Sequence, residues 1–265
     1  MLIEANNLSI SYDKKEIVHN IELSIKKGEI ISIIGPNGSG KTTVLKALTR
    51  IIKPSGGEIK LENKDIKKIK SKEIAKKIAI LPQMRRIPDD FDVETLIRYG
   101  RFPYTNWKGK LSKEDQDIID WAIKTTSMSH FRKKKLTKLS GGERQRAWIA
   151  MALAQKTEII VLDEPTTFLD LAHQIEVLDL IKELNKKENV TILMVLHDLN
   201  QALRYSSRIY VMKRGKIVSS GKPEKVIEEG MLKSVFKINS DFYEDKRHNC
   251  NHFVPYKLER NYHNN

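Results

Sequence analysis

GPNGSGKTT, residues Gly35 to Thr43, is the stretch on which the fold turns. In front of it Glu29 to Ile34 is a nearly continuous apolar run suited to a buried parallel strand, and behind it Val44 to Arg50 is spaced as a helix. Three glycines, Gly35, Gly38 and Gly40, allow backbone conformations and close approaches that a side chain would obstruct, so successive N–H groups can turn inward on an anion. The helix that follows points its N-terminus, with its partial positive charge, at the same place. Lys41 reaches the terminal phosphates of a bound nucleotide, and the Thr42 hydroxyl is placed to bind Mg²⁺. The whole loop, Gly35, Pro36, Asn37, Gly38, Ser39, Gly40, Lys41, Thr42 and Thr43, is the predicted phosphate cradle. A glycine turn beside a surface lysine is the plain alternative, and the strand–loop–helix context argues against it. The spacing is not G-x-G-x-x-G, which disfavours a dinucleotide oxidoreductase site.

A chain of 265 residues is long enough to bury a full core as one large domain, with or without a smaller subdomain. No apolar run approaches the ~18 residues needed to cross a bilayer, so a membrane role is expected to come through a partner. The opening MLIEANNLSI lacks a basic region followed by an apolar core, and no secretory leader is expected. The single Cys250 forms no internal disulfide, which fits a reducing compartment. Net charge is +14 with pI near 9.6, compatible with nucleic acid, an anionic membrane surface or acidic ligands. The lysines of Lys67 to Lys77 are interleaved with isoleucines at helical spacing and lack aromatic stacking platforms, so they and Arg132 to Lys135 are read as solvated faces, and no nucleic-acid partner is expected.

Leu2 to Ser11 and Ile17 to Ile25 alternate loosely around a turn at Tyr12 to Lys15, an antiparallel margin. Further strands are expected at Glu58 to Glu62, Lys77 to Leu81, Glu158 to Leu162 and Val190 to Leu196, with a hairpin around Arg214-Gly215. From about 90 to 138 the pattern is helical, with Asp92 as a cap and a stripe of Ile118, Ile119, Trp121, Ala122 and Ile123. The expected architecture is a single α/β domain over 1–265. It has a P-loop NTPase core on a mostly parallel sheet, an antiparallel β margin, an inserted helical subdomain at about 90–138, and a C-terminal helix and tail at about 222–265.

Reactive side chains stand directly after predicted strands: the glycine loop after Ile34, Gln83 after Leu81, Asp163-Glu164 after Leu162, and His197 after Leu196. In open parallel sheets ligands sit beyond the carboxyl ends of the strands, so these positions are candidates for one crevice. Asp163 can hold Mg²⁺ through its water shell, and Glu164 can polarise a water aimed at the γ-phosphate. The rival reading has both acids capping the next helix. His197 either hydrogen-bonds a phosphate oxygen or is structural. Gln83 either ligates Mg²⁺ or orients water, and Tyr12 either stacks on adenine or packs. Ser140-Gly141-Gly142 is a second helix start with bare N–H groups and a hydroxyl. Its separation from the first glycine motif suggests that it completes the nucleotide site of a second copy in a two-fold dimer.

With these residues in hand, the chain from about 2 to 236 resembles the ATP-binding subunit of an ABC transporter. GPNGSGKTT matches the Walker A loop, Pro82-Gln83 the Q-loop, LSGGERQ (Leu139 to Gln145) the signature, IIVLDE (Ile159 to Glu164) Walker B, FLD (Phe168 to Asp170) the D-loop, and His197 the switch histidine. The resemblance implies ATP and Mg²⁺ as ligands, adenine stacking for Tyr12 and a Mg²⁺ and coupling role for Gln83. The run from Arg144 to Asn185, MVLHDLNQALRY, IRYGRFPY (Ile97 to Tyr104) and Phe253 to Tyr256 are similar to the ATPases of iron-siderophore importers, a group that also serves haem and cobalamin. Implied with it are a homodimer at the cytoplasmic face of the membrane, two integral-membrane permease subunits contacted by residues near Gln83 to Arg101, and a substrate-binding lipoprotein. The rival from another class is a soluble ABC ATPase acting on nucleic acid or ribosomes. Against it stand a single cassette and no long heptad insertion after Gln83. His248, Cys250 and His252 lack zinc-site spacing.

Overall fold

The computed structural model describes residues 1–13, 15–83, 90–105, 110–247 and 250–258. They fall into two units, Met1–Lys67 with Met194–Asn265, and Lys68–Leu193.

The first unit opens with the alternating segments: β1 (Ile3–Tyr12) pairs antiparallel with β2 (Lys15–Ile25). Then come β3 (Ile30–Ile34), whose five residues are all buried, and α1 (Lys41–Leu48). β4 (Gly56–Leu61) and β5 (Lys64–Asp65) complete a four-stranded sheet in the order β2-β1-β4-β5, the antiparallel margin expected.

The second unit holds α2 (Ser71–Ala75), β6 (Ile78–Leu81), α3 (Val93–Tyr99), α4 (Lys113–Thr125), α5 (Gly141–Ala154), β7 (Ile159–Asp163), α6 (Leu171–Glu188) and the start of β8 (Thr191–Val195). β6 and β7 pair in parallel, Ile78 opposite Ile159 through Leu81 opposite Leu162. Asp92 caps α3 by accepting from Thr95 N at 2.7 Å, and Ile119, Ala122 and Ile123 form the buried stripe of α4. A buried ion pair ties this helical region to the C-terminal end of α5. Arg101 Nε donates to Asp115 Oδ1 at 2.8 Å and Arg101 Nη1 to Ala154 O at 2.8 Å. Glu94, also buried, accepts from Arg132 at 2.7 and 3.0 Å and from Lys133 at 2.6 Å. These bonds, led by that from Arg132, hold its carboxyl down at about 2. Arg132 and Lys133 thus pair with Glu94 within the unit while Lys133 and Lys135 stay exposed to solvent, in keeping with their reading as a solvated face.

The chain returns to the first unit through β8. α7 (Leu199–Tyr205) precedes β9 (Arg208–Lys213), which lies parallel to β3 and antiparallel to β10 (Lys216–Gly221). The β9–β10 turn has Arg214 at φ 47° and Gly215 at φ 76°, the two positive values of a type I′ hairpin. After Pro223 the helical stretch is broken into short turns, and the tail beyond it is a hairpin over part of its length: β11 (Ile238–Asp245) pairs antiparallel with β12 (Cys250–Leu258). Asn200 clamps it, donating to Phe253 O at 3.1 Å and accepting from Phe253 N at 3.0 Å. Among the described residues no helix is long and apolar enough to cross a membrane, and no cluster of His, Cys, Asp and Glu is placed to hold a metal. His248 lies outside the described residues.

Candidate active site

In the first unit β3 leads into the glycine loop and α1 leaves it. Leu196 N donates to Ile33 O at 3.4 Å, so the end of β8 lies beside the end of β3 and the exposed His197 stands at the same strand end as the loop. Gly35 has φ 151°, and a Cβ there would overlap the carbonyl oxygen of Met212. Gly38, with open space around it, is required by its φ of 74° alone. Lys41 is only 6% exposed, and its ammonium bends back over the loop, donating to Gly35 O at 2.8 Å and Pro36 O at 3.0 Å. The loop's own carbonyls thus hold the charge at its rim. α1 starts at Gly40 with no side-chain cap, and among the described residues Ser39 Oγ is buried without a hydrogen-bond partner. Uncapped N–H groups, an unengaged hydroxyl and a lysine at one helix start fit a polyphosphate. Thr42 and Thr43 lie half-buried in the first turn, and Asn37 is exposed. Tyr12, 44% exposed, ends β1 two residues past Ile10, whose cross-strand partner Val18 packs on Gly40.

In the second unit the parallel pairing of β6 and β7 sets Leu81 opposite Leu162, so Pro82-Gln83 and Asp163-Glu164 emerge side by side. Asp163 is buried, at 8% exposure. Gln83 Nε2 donates to Glu164 Oε2, and Thr167 Oγ1 donates to the same oxygen at 3.0 Å. The structure thus brings Gln83, Asp163 and Glu164 together. Glu164 departs from regular backbone, with φ 54°.

The second glycine motif differs from its sequence reading. Ser140 is the N-cap of α5, and its donors are not all bare. Its hydroxyl accepts from Glu143 N at 3.2 Å, and its own N–H donates to Glu143 Oε2 at 2.8 Å, a closed capping box. That backbone bond is the main cause of the lowered Glu143 carboxyl. Gly142 carries the ring of His173 directly over its Cα, so that a Cβ would overlap the imidazole, and Gly141 faces the Leu169 side chain. Asp170 caps α6 by accepting from His173 N at 2.9 Å and meets His173 Nδ1 at 2.7 Å; the first of these bonds is the main cause of its lowered carboxyl. The Ser140–Gly142 and Phe168–Asp170 segments therefore pack on one another through His173. Sequence reading passes over His173 and Thr167; only a hydroxyl three residues past Glu164 in a proline-containing turn hints at the second.

The ABC transporter family model matches residues 18–167, more than half of the chain. The chain belongs to the ABC transporter family. It is 47% identical to the petrobactin import ATP-binding protein FpuC of Bacillus anthracis over 92% of this chain and 89% of that protein. With the iron(3+)-hydroxamate import ATP-binding protein FhuC of Bacillus subtilis (strain 168) the identity is 45% over 98% of this chain and 96% of that protein. A bacterial ABC transporter cassette solved as a dimer superposes with a TM-score of 0.73 at 30% identity, covering 83% of this chain and 98% of that one. The ABC cassette described here is accordingly an ATP-binding ATPase of α/β architecture whose hydrolysis is coupled to transport.

Proposed function

We propose that this ABC cassette is the ATP-hydrolysing subunit that energises import of an iron–siderophore complex through a membrane permease. The observation that carries the reading is the near full-length similarity to import ATP-binding proteins whose names specify petrobactin and iron(3+)-hydroxamate. It extends well past residues 18–167 of the family model. Haem and cobalamin importers are the alternative cargo class.

In this reading Lys41 and the backbone N–H groups of the Gly35 to Thr43 loop other than Pro36 bind the ATP phosphates, and Tyr12 stacks on the base. Thr42, Asp163 and Gln83 are the residues to hold Mg²⁺, an oxygen-preferring ion that neutralises charge developing on the phosphates. Glu164 takes a proton from the attacking water, and His197 hydrogen-bonds a phosphate oxygen. Ser140, Gly141 and Gly142 serve the nucleotide of a second copy in a homodimer, supported by the dimeric relative. The dimer would sit peripherally at the cytoplasmic face on two integral-membrane permease subunits, with a lipoprotein delivering cargo from the far side.

A groove of about 920 Å³ in the second unit, lined by Ser71, Lys72, Thr95, Arg98, Tyr99 and Phe102, supports the permease contact. Tyr99 and Phe102 are 54% and 73% exposed there. Arg101, at the end of the expected contact stretch, is instead buried against Asp115, because an unpaired guanidinium is too costly to leave in that core. Residues 84–89 of the same stretch lie outside the described residues.

Glu164→Gln is expected to keep ATP binding and lose on the order of 10²-fold or more in turnover; wild-type turnover would overturn the general-base assignment. Lys41→Ala should weaken ATP binding itself. Uptake of ferric siderophores, haem and cobalamin by the reconstituted transporter decides the cargo. Unchanged coupling of ATPase to uptake in Arg98→Ala or Tyr99→Ala would remove the groove from the permease contact.

A further inference from the structure

The turn after β7 contains a hydroxyl that the roles above leave unused. Glu164 sits in left-handed backbone at φ 54°, Pro165 follows with its restricted φ, and the turn closes through Thr167 N–H donating to Glu164 O at 3.3 Å. In this closed turn Thr167 Oγ1 donates to Glu164 Oε2 at 3.0 Å. The second donor to that oxygen, Gln83 Nε2, comes from a separate strand end. One tether is thus built into the loop that carries the carboxylate, and the other reaches it from outside.

The terminal torsion of a glutamate side chain is soft, so an untethered carboxylate samples a broad range of planes. Anchoring one oxygen from a fixed turn selects one plane, and with it the direction in which the other oxygen presents its lone pairs. We propose that Thr167 is a positioning residue for hydrolysis, its hydroxyl holding the Glu164 carboxylate in the plane from which Oε1 meets the attacking water. The proposal rests on the reading of Glu164 as general base. In the step itself the water oxygen bonds to the γ-phosphorus and the bond from that phosphorus to the ADP oxygen breaks. A water proton passes to Glu164, and Thr167 keeps its own. The contribution is geometric, of the kind that raises the fraction of near-attack arrangements without adding binding.

The test uses the full chain. Thr167→Val keeps the shape and removes the hydroxyl; Thr167→Ser keeps the hydroxyl. The expected result is a fall in kcat of about 5- to 20-fold for Thr167→Val with KM for ATP within about twofold, and recovery to within about twofold of wild type for Thr167→Ser. In a Glu164→Gln background, Thr167→Val is expected to cost nothing further, because its effect passes through the missing carboxylate. Wild-type kcat in Thr167→Val, with Glu164→Gln inactive, would overturn the positioning role and leave the general base standing. Wild-type turnover in Glu164→Gln would instead overturn the general base itself. Equal losses in Thr167→Val and Thr167→Ser, or a further loss on top of Glu164→Gln, would assign Thr167 to the turn alone and overturn the proposal. Thermal unfolding and ATP-analogue binding confirm that each variant is folded, and Thr167→Ala takes the place of a Thr167→Val that is not.

Discussion

Among the described helices of seven residues or more, α1 begins differently from the rest. Helices α3, α4, α5, α6 and α7 are each capped by their own N-terminal side chain, Asp92, Ser112, Ser140, Asp170 and Asp198 respectively. α1 begins at Gly40, in left-handed backbone with φ 100° and no side-chain cap. A helix start leaves N–H groups without partners, and a cap normally satisfies them from within. Leaving them unsatisfied costs stability unless something else accepts from them. The contrast is sharpest between the two glycine motifs. At the loop before α1 no side chain caps the helix start, and the Ser39 hydroxyl is without a partner among the described residues. At Ser140 the hydroxyl and amide are closed into a box with Glu143. The first is built to receive an anion from outside, whereas the second offers chiefly Gly141 and Gly142.

The two motifs also differ in what packs on their glycines, and the largest predicted effect tests this. Gly35→Ala drives a Cβ into the Met212 carbonyl, main chain that cannot move aside, at a φ that side chains rarely adopt. It should abolish measurable ATP binding by calorimetry, a loss of about 10²-fold or more, and no change to a neighbouring side chain should restore it. Gly142→Ala meets the His173 side chain first, and that side chain can be shortened. A loss of about tenfold in turnover is expected, and His173→Ala in the same chain should recover most of it in steady-state ATPase assays. Failure of that rescue would show that the signature glycine is held by something other than the histidine.

Smaller effects probe the capped helices. Ser140→Ala opens the capping box and should cost about 1 kcal/mol in chemical denaturation, whereas a similar change near α1 has no cap to remove. In the helical region Glu94 titrates at about 2 when folded against its ordinary 4.5. A depressed carboxyl stabilises the fold fully above its ordinary value and less as pH falls from about 4.5 towards about 2. The denaturation midpoint of wild type should therefore drop over that interval, and Glu94→Gln should show a lower midpoint above it and a shallower fall within it.

Much of the site is legible without coordinates because its signals are local. The apolar run Glu29–Ile34 before three glycines and a lysine, Asp92 before an apolar-periodic segment, and Arg214-Gly215 between two strands each read out within a few residues. Backbone sterics and hydrogen bonding act at that range. The C-terminal hairpin is harder to read. β11 and β12 carry little clean alternation, Tyr243, Val254, Tyr256 and Leu258 remain exposed, and the pairing is anchored by Asn200 from an earlier helix.

By itself the sequence determined that a phosphate loop sits between a buried strand and a helix, that acids follow a second such strand, and that a helical segment stands between them. Only the tertiary structure decided which groups those residues touch. Gln83 and Thr167 share one oxygen of Glu164, Arg101 turns inward to Asp115 instead of facing a partner, and His173 lies across Gly142. Strand and helix periodicity tells which face of an element is buried. It does not tell which polar atoms meet once two elements far apart in the chain lie side by side, because those pairings are set by register and packing between segments rather than by the residues next to them.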